Sequence, residues 1–236
     1  MNFIKKQLIN RGFGFLAGFA IALGATAALF VKAAAPGDTS GFANFASAFV
    51  FTIGLFLIVT LGFYLYTGKI GYVFANKKDY ALNLITILLG NAIGAISIGY
   101  FIFGITQNNV VLQEILSNIA AAKTAGAMTG EGFGILFGKG ILCGICVFIA
   151  VHLFANLKNS GFRYLGLLLP IMAFVLCGFE HCIANMYYFS AGNQWSVEAL
   201  LNIIYVTVGN SIGSIIFYLL FKLLKVETKI WEKYNI

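Results

Sequence analysis

The stretch LLLPIMAFVLCGFEHCIANMYYFSAG, residues 167–192, decides the fold class, because it is a long apolar run with helix-breaking and ionisable residues inside it. Pro170 removes a backbone donor, and Gly178 permits non-helical dihedral angles. Glu180 and His181 follow that glycine directly. At membrane depth, broken backbone is tolerated only where protein or a water-filled cavity satisfies the freed groups. The stretch therefore predicts a transmembrane helix that is interrupted at a functional point.

A second interrupted run, FTIGLFLIVTLGFYLYTGKIGYVFANKKD, covers residues 51–79. Leu65, Tyr66, Thr67 and Gly68 lie in its middle. The two interruptions occupy comparable places in the two halves of the chain. We therefore expect them to face one another across a pore.

The composition agrees with a membrane protein. Of the 236 residues, 60% are hydrophobic and 10% are charged, whereas soluble domains are about 45–50% apolar and about 25% charged. These values exclude a soluble enzyme and a disordered chain. The apolar runs are far longer than the alternating segments of about ten residues that build a β-barrel. The sequence predicts an all-α membrane protein.

Six transmembrane helices fit the chain as one channel domain, residues 1–236, at about 20 apolar residues per crossing. The second and fifth helices are the two interrupted runs, and neither is a straight crossing. The predicted spans are about 12–33, 44–75, 80–105, 131–155, 162–190 and 197–224.

The basic residues give the predicted orientation. Lys32 and Lys123 fall on one side of the spans, while Lys69 and Lys139 lie inside apolar segments. The other eleven of the 15 lysines and arginines fall on the opposite side: Lys5, Lys6, Arg11, Lys77, Lys78, Lys158, Arg163, Lys222, Lys225, Lys229 and Lys233. By the positive-inside rule, both termini are expected in the cytoplasm. Because the basic residues are scattered through short loops, we expect no nucleic-acid partner.

An internal repeat relates the two halves. GFGFLAGFAIALG at 12–24 aligns with GFGILFGKGILCG at 132–144, and LNLITILLGNAIGAI at 82–96 aligns with LNIIYVTVGNSIGSI at 201–215. Two copies of a three-helix unit, about 12–105 and 131–224, must enter the membrane from opposite sides, which places a binding site near the midplane. The repeated glycines predict close helix packing: Gly14, Gly18, Gly90, Gly94, Gly134, Gly138, Gly209 and Gly213.

Several motifs resemble the formate/nitrite transporter family: GFLAGFAIALG at 14–24, LYTG at 65–68, ILCGICV at 141–147 and above all GFEHCIANMYY at 178–188. The resemblance covers essentially the whole chain. It implies aquaporin-like protomers with six helices, assembled as homopentamers in the lipid of the cell membrane. It also implies passage of small monovalent anions such as formate, nitrite or hydrosulfide.

The resemblance also implies the pore residues. The central pore histidine of the family corresponds to His181, and the threonine on the opposing loop corresponds to Thr67. Gly144 stands where the family often has an asparagine. We expect this replacement to remove a hydrogen-bond donor and to add room, and it leaves the choice of anion open. The apolar constrictions correspond to Phe51, Leu55, Leu65, Val147 and Phe174.

Three further polar residues are candidates for a supporting role. We expect Glu180 to accept hydrogen bonds from freed backbone donors or to be protonated, and Asn185 of the same motif to support it. Lys69 either snorkels to the cytoplasmic face or attracts anions at the pore mouth. His152 lacks such surroundings and is expected to be structural.

Cysteine offers a metal hypothesis that we do not favour. Cys143 and Cys146 form a C-x-x-C pair, and Cys177 and Cys182 flank the second interruption. A zinc site needs ligands that converge tetrahedrally, but all four lie in apolar segments, where cysteine is a common packing residue. We expect no metal, no cofactor and no catalytic residue.

The expected function is a channel or transporter for small monovalent anions of weak acids, with transient protonation through His181 or water. The alternative is a channel for neutral solutes such as water, glycerol or ammonia. It is disfavoured because an aquaporin needs NPA motifs, and the prolines, Pro36 and Pro170, lie in none. An intramembrane enzyme is less favoured still, since the sequence has no GxSG motif and His152 and His181 have no evident nucleophile partner.

Overall fold

The computed structural model describes residues 3–226, and every regular element in that range is helical. Lys229 and Lys233, which we counted on the basic side, lie outside the described residues. A 3-10 helix, Ile70–Ala75, follows α3 directly. The α-helices are α1 Phe3–Ala34, α2 Phe42–Leu61, α3 Tyr66–Lys69, α4 Asp79–Thr106, α5 Val110–Thr124, α6 Gly130–Asn156, α7 Ser160–Leu176, α8 Cys182–Ala191 and α9 Val197–Leu223.

Five of the described helices are long and apolar enough to cross a membrane: α1, α2, α4, α6 and α9. Helix α1 begins at Phe3, before the membrane span predicted from about residue 12. Its first turns contact α4, because the side-chain amides of Gln7 and Asn10 both donate to Asn83 Oδ1. Hydropathy does not register such contacts.

Helix α5 was not predicted. It fills the stretch between the third and fourth predicted spans and begins at a capping residue, Asn109, whose side chain accepts from the Leu112 N–H. Its buried residues, Leu112, Leu116 and Ala120, recur every four positions and so form one apolar stripe. Helix α5 carries Lys123 in its last turn, which places that cation beside the second interruption.

Glycines bring α1 against α4 and α6 against α9 at backbone distance. A Cβ on Gly18 would overlap the Asn91 carbonyl of α4, and a Cβ on Gly144 would overlap the Asn210 carbonyl of α9. Close approach of this kind is what small residues permit at helix crossings in membranes. The predicted gain of room at Gly144 is therefore wrong, because the backbone of α9 occupies that space.

The packing role predicted for Gly134 and Gly138 is not seen among the described helices of one protomer. A Cβ at either position would meet no atom within 4 Å. Gly140 and Gly144 make the contacts with α9 instead, so Gly140 corresponds in packing to Gly14. Glycine recurs so often between residues 130 and 144 that the sequence alignment matched the wrong members of the series.

Candidate functional site

The two predicted interruptions are short non-helical segments with similar backbone geometry. Helix α2 ends at Leu61 and α3 begins at Tyr66, while α7 ends at Leu176 and α8 begins at Cys182. Each segment leaves its helix through a glycine with positive φ, 73° at Gly62 and 65° at Gly178. In both, the N–H of the next residue, Phe63 or Phe179, returns to a carbonyl five positions earlier. This is the bond of a Schellman helix end, which only a left-handed residue such as glycine permits easily.

A fully buried asparagine holds each segment. At the first, Asn91 Oδ1 accepts from the Tyr66 N–H at 2.8 Å, and its Nδ2 donates to the carbonyls of Tyr64 and Gly14, both at 2.8 Å. One side chain thus hydrogen-bonds to backbone groups at the end of the non-helical segment and at the start of α3, and it links both to α1. The sequence marked Asn91 only as an identity of the repeat.

Asn210 does the same at the second interruption. Its Oδ1 accepts from the Cys182 N–H at 3.1 Å, and its Nδ2 donates to the carbonyls of Glu180 and Gly140, both at 2.8 Å. The freed backbone groups are therefore satisfied by an amide from α9. The predicted role of Glu180 as their acceptor is wrong.

The Glu180 carboxylate instead binds a cation. Glu180 Oε2 accepts from Lys123 Nζ at 2.6 Å and from Asn185 Nδ2 at 2.7 Å. Lys123 also donates to Asn185 Oδ1 at 2.7 Å. Both charged side chains are largely buried, with 13% and 7% of their surfaces exposed. So short a contact is typical of a charge-assisted hydrogen bond. The alternative of a protonated Glu180 stays a prediction.

Asn202 completes this polar group. Its Oδ1 accepts from Asn185 Nδ2 at 2.8 Å, and its Nδ2 donates to the Lys123 carbonyl at 2.8 Å. Lys123 was missed as a site residue because the helix that carries it was missed. The available signal was its isolation, since only Lys32 and Lys123 fall on that side of the predicted spans.

Thr67 and His181 meet between the two interruptions. Thr67 Oγ1 lies 2.9 Å from His181 Nε2, and both residues are buried, with 1% and 3% of their surfaces exposed. His181 also caps α8, because its Nδ1 accepts from the Ala184 N–H at 3.3 Å. With Nδ1 acting as acceptor, the proton of a neutral ring is on Nε2 and is donated to Thr67 Oγ1. The Thr67 hydroxyl hydrogen is then available for a third group.

Aromatic rings surround this pair on one side. The Phe174 ring stacks on His181 with centroids 6.1 Å apart, and Phe51 meets Phe174 edge to face at 5.6 Å. The three remaining residues of the predicted constrictions are buried in the same apolar core: Leu55, Leu65 and Val147.

Two cavities approach this core, and we name each after one of its charged residues. The Lys123 cavity has a volume of about 160 Å³, and its wall includes Phe51, Phe174, His181, Glu180 and Lys123. Lys32 and Asn185 also lie along it. His181 therefore faces a space that holds both partners of the ion pair.

The Arg163 cavity is larger, about 490 Å³, and its wall includes Leu65, Tyr64, Lys69, Phe154 and Arg163. The Lys69 ammonium lies 4.4 Å from the centre of the Tyr64 ring. Lys69 is thus part of a cavity wall next to the first interruption. Leu55 and Val147 belong to neither cavity lining.

The other candidates lie away from these cavities. His152 Nδ1 is 3.2 Å from the Tyr72 hydroxyl, and its ring packs on Phe148 and Phe221. All four cysteines are free thiols. Within residues 3–226, no three His, Cys, Asp or Glu side chains come together in a way that could hold a metal ion.

Comparison with known proteins gives consistent matches. The formate/nitrite transporter family model matches residues 6–224. The chain is 32% identical over 219 residues to the uncharacterized transporter YrhG of Bacillus subtilis, covering 86% of this chain and 80% of that protein. It is also 32% identical over 231 residues to a probable formate transporter of Methanothermobacter thermautotrophicus, covering 86% and 83%. A solved pentameric formate channel with formate bound shares the fold, with a TM-score of 0.80 at 22% identity over 95% of this chain and 99% of that one.

Proposed function

We propose that this chain, which belongs to the formate/nitrite transporter family, conducts formate, nitrite or hydrosulfide across the cytoplasmic membrane. The observation that carries the proposal is the hydrogen bond between Thr67 and His181. It joins the two interruptions between two cavities whose walls carry cations. Such a passage suits small monovalent anions of weak acids.

We also propose that the protomer consists of two inverted three-helix halves, about 12–105 and 131–224, each with a broken second helix. The paired asparagines support this, since Asn91 and Asn210 each bind the start of a half-helix, the residue two before it and a glycine carbonyl. Leu65 and His181 occupy equivalent positions in this scheme. Basic loops support cytoplasmic termini.

The proposed path runs from one cavity to the other through the buried residues Phe51, Leu55, Leu65, Val147 and Phe174. A bare monovalent anion in such surroundings faces an idealised solvation penalty of about 20 kcal/mol. The Thr67 hydroxyl, oriented by His181, supplies a hydrogen-bond donor there, while Lys69, Glu180 and Asn185 support the walls at the two ends. We propose that the anion crosses the apolar segments as its neutral acid.

The hydrogen bonds of His181 favour water as the source of the proton. Its Nδ1 is engaged by the Ala184 N–H, so an imidazolium would form only with loss of that helix cap. If the neutral ring gave up its Nε2 proton, it would become an imidazolate, which is far too basic to form near neutral pH. We therefore assign His181 the role of a hydrogen-bond donor that positions Thr67, and the proton comes from water in the cavities.

A flux panel in proteoliposomes tests the function. We expect formate, nitrite and hydrosulfide to enter faster at low pH, and sulfate to be excluded because one proton cannot neutralise it. Formate flux that does not depend on the proton supply would contradict the protonation step but not the proposal of an anion channel. Passage of glycerol or ammonia while every anion fails would favour the alternative, a channel for neutral solutes.

The proposed assembly is a homopentamer, supported by the likeness to a pentameric formate channel. Mass measurement of the protein in mild detergent checks this assignment. A stable monomer that retains anion flux after reconstitution would contradict it.

A further inference from the structure

The Arg163 cavity contains two positive charges without a carboxylate. Lys69 and Arg163 both lie in its wall, and none of its lining residues is acidic. Neither cation forms an ion pair with another described residue, since the ion pair of residues 3–226 joins Lys123 to Glu180. In the Lys123 cavity, by contrast, a carboxylate offsets one of the two lysines.

Both cations of the Arg163 cavity are held in place by neighbouring rings. The Arg163 guanidinium carbon lies 4.2 Å from the centre of the Phe154 ring, and its Nε donates to the Phe154 carbonyl. Lys69 is held over Tyr64 in the same manner. Such contacts fix the charged groups without neutralising them, and the guanidinium keeps further N–H donors for a ligand with several oxygens.

We propose that the Arg163 cavity binds small dianions of the sulfate, phosphate and dicarboxylate class, and that a bound dianion blocks anion passage from that side. This inference rests on the proposed function. Two uncompensated cations attract a doubly charged ion more strongly than a singly charged one. The cavity also has room for an anion larger than formate.

The bound dianion stays in the cavity because it cannot go further. Leu65 lies in the wall of the cavity and is buried in the apolar core. A sulfate or phosphate that gained one proton would still carry charge there, whereas formate would not. The blocking ion and the permeating ion therefore enter the same cavity, but only the permeating ion can continue across the apolar segment.

Block should be one-sided. The Lys123 cavity is about one third the size, at about 160 Å³ against about 490 Å³, and Glu180 lies in its wall. There the carboxylate offsets one of the two lysines, so the same dianion is attracted less strongly. Sidedness distinguishes a built site from general screening by salt, which acts on both faces.

The test uses the full-length protein in a planar bilayer with formate as the permeating ion. Sulfate is added to one chamber and then to the other, with gluconate keeping the ionic strength constant. We expect block from one side only. In Arg163→Gln, half-block on that side should need about fivefold more sulfate, the effect of losing one partly exposed ion pair.

Two matched variants complete the test. Arg163→Lys keeps the charge and should retain most of the block. Lys222→Gln removes an exposed lysine from the end of α9, outside the cavity, and should block as the wild type does. Equal block from both sides, or unchanged block in Arg163→Gln, would overturn the proposal.

A binding measurement separates this proposal from the proposed function. Sulfate should raise the thermal unfolding midpoint of the wild-type protein in detergent more than that of Arg163→Gln, because a ligand of the folded state stabilises it. If sulfate stabilises the protein but no formate current is measured, the result counts against anion conduction and not against the dianion site. Equal stabilisation of both proteins would count against the dianion site.

Discussion

At residues 62–65 and 177–181 the chain leaves a helix through a left-handed glycine and re-enters one at an N–H held by a buried asparagine. The side chain just before re-entry is Leu65 in the first segment and His181 in the second. The backbone arrangement is thus common to both, while the polar chemistry is concentrated in the second segment. The backbone arrangement that ends and restarts the helix therefore does not require a polar side chain at the position before re-entry.

The residue one position earlier extends this contrast to the cavities. Tyr64 carries the Lys69 ammonium over its ring, whereas Glu180 pairs directly with Lys123. An aromatic ring orients a cation and leaves its charge uncompensated, while a carboxylate cancels it. The first segment therefore faces a cavity that remains fully cationic, and the second faces one whose charge is partly offset.

Removing either asparagine should have the largest effect. Asn210→Leu leaves the Cys182 N–H and the Glu180 carbonyl without a partner, at about 1–3 kcal/mol each. We expect thermal unfolding in detergent to show a loss of about 4 kcal/mol. Asn91→Leu should cost a similar amount if the two segments are held alike.

The control is Asn108→Leu, which changes an exposed asparagine between α4 and α5 and should unfold as the wild type does. If Asn91→Leu proves as stable as the control while Asn210→Leu does not, the two segments are held by different interactions. Equal stabilisation of the two segments by their asparagines would then be refuted.

Substitution at the position before re-entry should separate function from structure. His181→Phe removes the donor to Thr67 and the cap on α8 while keeping an aromatic ring. Formate uptake by proteoliposomes should fall about a hundredfold, as when one preorganised donor is lost, and stability should fall by about 1 kcal/mol. Leu65→Met, the volume-conserving change at the equivalent position, should retain nearly all of the uptake. Normal flux and an unchanged pH profile in His181→Phe would refute the role given to His181.

Glycine substitutions should give the smallest effect and test which positions are equivalent. Gly144→Ala places a methyl group against the Asn210 carbonyl and should destabilise by about 1–3 kcal/mol, as should Gly18→Ala. Gly138→Ala meets no atom within 4 Å and should be neutral or slightly stabilising, since alanine favours helix by about 1 kcal/mol. Denaturation midpoints of the three variants check this. A larger loss of stability in Gly138→Ala than in Gly144→Ala would support the alignment made from the sequence, in which Gly138 corresponds to Gly18.

The prediction of the two interruptions depends on a local signal, helix-breaking residues inside apolar runs. The prediction that Thr67 and His181 oppose one another depends on a family resemblance. Asn91 and Asn210 could not be assigned from such signals. Each hydrogen-bonds to backbone at least 25 positions away, and only the packing of α4 and α9 shows which asparagine reaches which gap.

Lys123 and the glycine contacts escaped prediction for different reasons. Helix α5 is only moderately apolar, and its stability comes from a buried stripe in a helix that contacts α1, α8 and α9. The contact register between α6 and α9 escaped because several glycines at helical spacing fit equally well in one dimension. In both cases the deciding information is the position of another helix.

The asparagine bonds also bear on how the protein is made. Asn91 ties together residues 14, 64 and 66, and Asn210 ties together residues 140, 180 and 182, so each set of bonds is confined to one half of the chain. The N-terminal half can therefore form its interruption as soon as α4 enters the bilayer, while the ribosome is still synthesising the rest. The Thr67–His181 bond, which spans 114 positions, forms only when the second half arrives. The contact between the two interruptions thus forms late, when two units whose non-helical backbone is already hydrogen-bonded dock together.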